Sequence, residues 1–144
     1  MPAKTARPPK APIVAVIDDD EAVREALSDL LLVLGLACRT FDRAEAFMAE
    51  YQPDRFDCLI TDVSMPGRSG LELQERLREL GSSMPVIVIS ADTNAATRAR
   101  ALSGGALACL TKPVNDDVLL RHLESALNRA SGVRDDRRDA PSDD

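Results

Sequence analysis

Apolar residues along the chain switch repeatedly between two periods. Short, nearly unbroken runs stand at 12–17 (PIVAVI), 36–41 (LACRTF), 56–61 (FDCLIT), 85–90 (PVIVIS) and 106–110 (ALACL). Between and after them lie segments whose apolar residues recur every three or four positions. The runs predict five strands, LACRTF the weakest, and the spaced segments predict five helices. The first helix, over 21–35, puts Val23, Leu27, Leu30, Leu31 and Leu34 on one stripe and stops at Gly35. A short second helix covers 43–51. The third carries Leu73, Leu77 and Leu80, the fourth is an Ala-rich stretch over 94–103, and the fifth, over 116–130, turns Leu119, Leu123, Ala126 and Leu127 inward. Strict alternation of strand and helix implies an α/β fold with a parallel sheet covered on both faces, because parallel neighbours need crossover connections and these are right-handed helices in nearly all known cases. PIVAVI and PVIVIS agree, since a strand with one face in water would alternate polar with apolar residues.

In open sheets of this kind a site forms beyond the carboxyl ends of the strands, where the strand order reverses. The ends here are rich in chemistry: IDDDE after the first strand, TDVSMP at the third, SAD at the fourth and LTKP at the fifth. A five-strand order 2-1-3-4-5 places the reversal between strands one and three, so that Asp18, Asp19 and Asp62 converge. Two carboxylates about 4 Å apart repel by roughly 4 kcal/mol at an effective dielectric near 20. A hard divalent cation answers that best, and Mg²⁺ accepts one or two carboxylates together with water and phosphate oxygens. Lys112 brings a point charge suited to a phosphoryl oxygen, and Ser90 a hydroxyl donor. No GxxxxGK[ST] or GxGxxG cradle occurs, which argues against nucleotide binding. What remains is a carboxylate beside a metal and a lysine, able to attack phosphorus and form an acyl phosphate.

Composition narrows the picture further. A chain of 144 residues, 44% hydrophobic and 29% charged, fits one domain with an aliphatic core. Four prolines among the first twelve residues and the polar SGVRDDRRDAPSDD at the end predict a basic arm over 1–11 and a polar tail over 131–144, flanking a folded body over 12–130. Lys4, Arg7 and Lys10 are followed by no apolar stretch and no run nears the roughly 20 residues that span a bilayer, so a cytoplasmic protein without membrane contact is expected. The arm is basic and the tail is mildly acidic, which leaves the body more negative than the whole chain's −6; such a surface is a poor match for DNA. Cys38, Cys58 and Cys109 form no CxxC pair and read as buried free thiols. His122, the single histidine, has no second ligand on its helical face and reads as a surface residue.

The acidic pair in VIDDDEAVR, the segment TDVSMPGRSG, the strand end ISAD and the tripeptide TKP, in this order and at these spacings, resemble the receiver domain of bacterial two-component response regulators, in the branch of the nitrogen-fixation regulators. The resemblance runs from about residue 12 to 130. It implies a flavodoxin-like (βα)5 fold, and a phosphoacceptor rather than an enzyme in the ordinary sense, with self-catalysed phosphorylation and slow autodephosphorylation. Asp62 would accept the phosphoryl group from a sensor histidine kinase or phosphotransfer protein. Asp19, Asp62 and the backbone carbonyl of Ser64 would bind Mg²⁺ directly, with Asp18 acting through a bound water. Lys112 would bind the phosphoryl group, with its bond to Pro113 cis, and Ser90 would swing inward once phosphate arrives. Gly70 and Gly105 match turn positions, and Ser64 and Asp92 sit where side chains steer the hydrolytic water.

Two departures stand out. Three residues before the lysine the family usually has Tyr or Phe, whose ring moves with the hydroxyl to reshape the face of the fourth helix, fifth strand and fifth helix. Here that residue is Cys109, and Val114 follows KP where Phe is common, so activation is expected to be weaker or differently routed. That face is also the expected surface for a downstream protein or for a second copy of the chain. The helix-turn-helix output domain usual in this branch does not follow, which reads as a single-domain regulator. Two other readings stay open at this point: a receiver-like interaction module working without phosphorylation, and a magnesium-dependent phosphohydrolase.

Overall fold

The computed structural model describes residues 12–64, 69–91 and 94–132. The expected arm over 1–11, residues 133–144 of the tail expected over 131–144, and Asp92 lie outside them; residues 131 and 132 continue the last helix. Strands β1 (Ile13–Ile17), β2 (Ala37–Phe41), β3 (Cys58–Asp62), β4 (Val86–Ser90) and β5 (Ala108–Thr111) alternate with helices α1 (Glu21–Val33), α2 (Ala44–Glu50), α3 (Gly70–Glu79), α4 (Ala95–Ser103) and α5 (Asp116–Gly132). The strands form one sheet in the order β2-β1-β3-β4-β5, every pair parallel. Class and strand order are those expected from the sequence.

The sheet is covered on both faces. Val14, Val16, Cys58, Ile60, Ile87 and Ile89 pack under α1 and α5, against Leu27, Leu31, Leu119, Leu123 and Ala126. The alternate strand residues Ala15, Ile17, Leu59, Val88 and Cys109 pack under α2, α3 and α4, against Phe47, Leu73, Leu77 and Ala101. Two-sided burial is why β3 and β4 carry almost no polar residue before their ends. All four aromatic residues of the chain gather at one corner: Phe47 lies 5.6 Å from Phe41, 5.3 Å from Phe56 and 5.8 Å from Tyr51 between ring centroids.

The helix ends follow local chemistry. Asp20 caps α1, its Oδ1 accepting from the Ala22 N–H at 2.9 Å. Ser69 and Glu72 close a reciprocal capping box at the start of α3. Gly35, at φ +80°, ends α1 in the left-handed region. Two expectations shift. Leu80 is half exposed rather than inward, because α3 ends at Glu79 and Leu80 already belongs to its cap. Cys38 is only half-buried, because β2 is an edge strand, whereas Cys58 and Cys109 are buried as expected.

Candidate functional site

The register of the sheet sets the site. Ile17 pairs with Thr61, Asp62 with Ile89, and Ser90 with Thr111, so the residues that end β1, β3, β4 and β5 reach one rim together. Asp18 follows β1, with its N–H on the Phe41 carbonyl at 3.1 Å. Asp62 is the last residue of β3, one position later than the apolar run alone marked, and it is 4% exposed. Ser90 ends β4 with its side chain buried, and its carbonyl accepts from the Lys112 N–H at 2.9 Å. The Lys112–Pro113 peptide is cis.

The four charged residues expected to converge do so. Lys112 Nζ lies 2.8 Å from Asp18 Oδ2 and 3.3 Å from Asp62 Oδ2. One carboxylate oxygen each from Asp18, Asp19 and Asp62 falls within 4.8 Å of the others. Asp18 is fully buried and Asp19 exposed. The Ser64 N–H faces Asp62 Oδ1 at 3.4 Å, a weak contact that places Ser64 beside the acid.

Three carboxylates against one ammonium leave two negative charges uncompensated. The strain is visible. Burial, and then the charge of Asp18, lifts the Asp62 pKa above the usual carboxylate range despite the pull of Lys112. Burial pulls the Lys112 ammonium down, but Asp18 and Asp62 outweigh it and hold its pKa above the ordinary lysine value. Asp18 Oδ2 is buried, and its partner among the described residues is the Lys112 ammonium at 2.8 Å, which Asp62 shares. Two buried carboxylates that share one ammonium, in an oxygen-only donor set with two excess negative charges, fit a small divalent cation.

The description "response regulator receiver domain" matches residues 14–124. The chain belongs to the response regulator receiver family. It is 38% identical over 125 residues to the response regulator protein TodT of Pseudomonas putida, covering 87% of this chain and 55% of TodT. It is 39% identical over 132 residues to the transcriptional regulatory protein FixJ of Azorhizobium caulinodans, covering 90% of this chain and 63% of FixJ. The chain thus spans between half and two thirds of the length of these relatives. The solved structure of response regulator StyR superposes with a TM-score of 0.80 at 38% identity, over 86% of this chain and 63% of that one.

Within this receiver domain, several contacts beside the acids carry little sequence signal. Gly70 fits no turn requiring positive φ, unlike Gly105 at +102°. Its need is closeness: a Cβ there would stand 2.1 Å from the Asp62 carbonyl oxygen, while its own N–H donates to the Val63 carbonyl at 2.9 Å. Buried Gln74 of α3 donates to the Ala101 carbonyl of α4 at 2.8 Å, and Arg98 of α4 donates to the Cys109 carbonyl of β5 at 2.9 Å. Cys109 is 2% exposed and faces α4. Arg24 of α1 bonds the Asp18 carbonyl at 2.7 Å. A basic residue so near a helix start runs against the helix dipole, and that conflict was the one visible sign of its use. Among the described residues no helix is long and apolar enough to cross a membrane.

Proposed function

We propose that this receiver domain accepts a phosphoryl group on Asp62 from a sensor histidine kinase or phosphotransfer protein, in a Mg²⁺-dependent step, and signals by phosphorylation-dependent contact with another protein. What carries the reading is the ammonium of Lys112 held between two buried carboxylates, Asp18 and Asp62, at 2.8 and 3.3 Å. Asp19, Asp62 and the Ser64 carbonyl would hold Mg²⁺, with Asp18 acting through a water. Bound there, the ion would neutralise charge on the phosphoryl oxygens.

The chain's own residues do the rest. An oxygen of the Asp62 carboxylate attacks phosphorus, the new O–P bond forms as the donor's N–P bond breaks, and the electron pair leaves with the imidazole nitrogen, which takes up a proton. Lys112 exchanges part of its contact with Asp62 for a phosphoryl oxygen, and the Ser90 hydroxyl donates to another. Water attack on the phosphorus later breaks that O–P bond, releases inorganic phosphate and returns Asp62 to a carboxylate. The modification adds about −1.5 to −2 charges and three acceptor oxygens. Driving the domain from about 1% to about 99% active requires a preference of about 5.5 kcal/mol, within reach of a few charge-assisted hydrogen bonds.

The test is incubation with acetyl phosphate and Mg²⁺ followed by intact mass. The expected result is one phosphoryl adduct, absent in Asp62→Asn and in EDTA. Absence of an adduct with acetyl phosphate and with a phosphorylated histidine donor would sink the reading in favour of a module that binds without phosphate.

A further inference from the structure

The loop between β1 and α1 presents Asp18 and Asp19, and it is held by a set of directed bonds. The Asp18 N–H donates to the Phe41 carbonyl at 3.1 Å. The Asp20 N–H donates to Asp18 Oδ1 at 2.9 Å, and Asp20 in turn caps α1. Among the described residues Asp19 makes no side-chain hydrogen bond of its own, so the direction of its exposed carboxylate is set by the backbone on either side. Beside the bond to Phe41, a side chain also reaches that backbone: Arg24 Nη1 donates to the Asp18 carbonyl at 2.7 Å, in a half-buried position. The Arg24 backbone N–H also returns to the Asp20 carbonyl at 3.1 Å, so one residue clasps both ends of the acidic segment. Arg24 achieves this from the first turn of α1, where its charge is disfavoured by the helix dipole, so the bond to Asp18 is bought at a local cost.

We propose that Arg24 is a positioning residue for the divalent cation, holding the Asp18 carbonyl so that Asp18 and Asp19 present their carboxylates toward Asp62. The inference rests on the metal-dependent reading above and extends it to a residue that touches neither ion nor phosphate. Two effects oppose each other here. The guanidinium fixes ligand geometry, which tightens binding, and it is also a cation near a cation, which weakens it. Groups that orient metal ligands typically contribute 10- to 100-fold in affinity, whereas a solvent-screened repulsion is much smaller, so geometry wins.

The experiment titrates Mn²⁺ into the full chain, counting free ion by electron paramagnetic resonance, for wild type, Arg24→Met and Arg24→Lys, with circular dichroism at the titration temperature to verify folding. Arg24→Met is expected to weaken Mn²⁺ binding about tenfold or more, and Arg24→Lys, which can still donate once, to recover part of it. With acetyl phosphate, the Mg²⁺ concentration for half-maximal phosphorylation of Asp62 should rise in Arg24→Met while the rate at saturating Mg²⁺ stays near wild type. If Arg24→Met does not fold, Arg24→Lys carries the same comparison with a smaller expected loss. Wild-type affinity, or tighter binding, in the substituted protein overturns the role of Arg24 alone. A wild type that binds no Mn²⁺ overturns this inference and the metal-dependent reading together.

Discussion

Gly70→Ala tests how closely α3 is pressed against the end of β3 at Asp62. The added Cβ would meet the Asp62 carbonyl oxygen at 2.1 Å, its carbon at 3.0 Å and the Val63 Cα at 3.2 Å. All three are backbone atoms, so no side-chain rotation relieves the clash, and the start of α3 or the end of β3 has to move by more than 1 Å to restore ordinary contact near 3.4 Å. Over-packing of this kind costs roughly 1–3 kcal/mol, which for a domain of this size lowers the melting midpoint by about 4–15 °C. A shift of about 1 Å in a reacting group can cost on the order of 100-fold in rate, so phosphorylation by acetyl phosphate should slow far more than stability falls. Gly35→Ala is the control. Its strain comes only from φ +80°, with nothing within 4 Å of the new Cβ, and it should cost about 1 kcal/mol and leave the phosphorylation rate near wild type. Thermal unfolding by far-UV circular dichroism and a time course by intact mass read both quantities. A Gly70→Ala protein within about 2 °C and twofold of wild type would refute the argument that this approach aims Asp62.

Asp62→Asn should raise the melting midpoint of the metal-free protein at pH 7. The raised pKa of Asp62 means that its contribution to stability is fully present below the ordinary carboxylate value of about 3.9 and lost as pH rises through the elevated one, so the gain should shrink as the pH is lowered toward 4 and in the presence of Mg²⁺; a destabilised Asp62→Asn protein in EDTA would contradict it. Burial pushes the Cys58 thiol up to about 12, so at pH 8 iodoacetamide should label half-buried Cys38 first and reach Cys58 only on unfolding, as peptide mapping would read. The same shift carries a sign for stability: Cys58 favours the fold below about pH 9 and ceases to as the pH climbs toward 12, a loss that Cys58→Ala should remove.

The fold was legible because two periods of apolar residues survive in nearly every segment, and the acids were legible because each stands at the end of an apolar run where only a strand terminus makes sense of it. Asp62, Asp18 and Lys112 are examples of polar residues whose position is a local anomaly. What was not legible depends on distances between elements. Gly70 looked like a turn glycine because sequence shows a missing side chain but not what the backbone presses against. Gln74 carries no sign of its burial, which depends on α4 lying across it. Leu80 looked like a core position because the period of α3 does not reveal that the helix stops one residue earlier. Arg24 left only its conflict with the helix dipole as a sign, because its partner is a carbonyl and backbone acceptors leave no trace in composition.

The placement of aromatic residues bears on how a signal would leave the site. With Phe41, Phe47, Tyr51 and Phe56 all gathered beside α2, none remains for the contact between α4 and β5, which is built from Ala101, Ala106 and Cys109. Small residues leave a helix free to slide unless something directional holds it, and here polar groups do. Gln74 bonds the Ala101 carbonyl at 2.8 Å, Arg98 bonds the Cys109 carbonyl at 2.9 Å, and Arg100 faces Glu75 at 3.5 Å. The ion pair is exposed and contributes little; the buried amide bond is the costlier one to break, because its acceptor would be left unpaired. Apolar packing between small residues shifts gradually, whereas a directed hydrogen bond is either made or lost. A movement of α4 larger than the Arg98 side chain can follow breaks its bond to the Cys109 carbonyl of β5, the strand whose last residue, Thr111, pairs with Ser90 and is followed by Lys112.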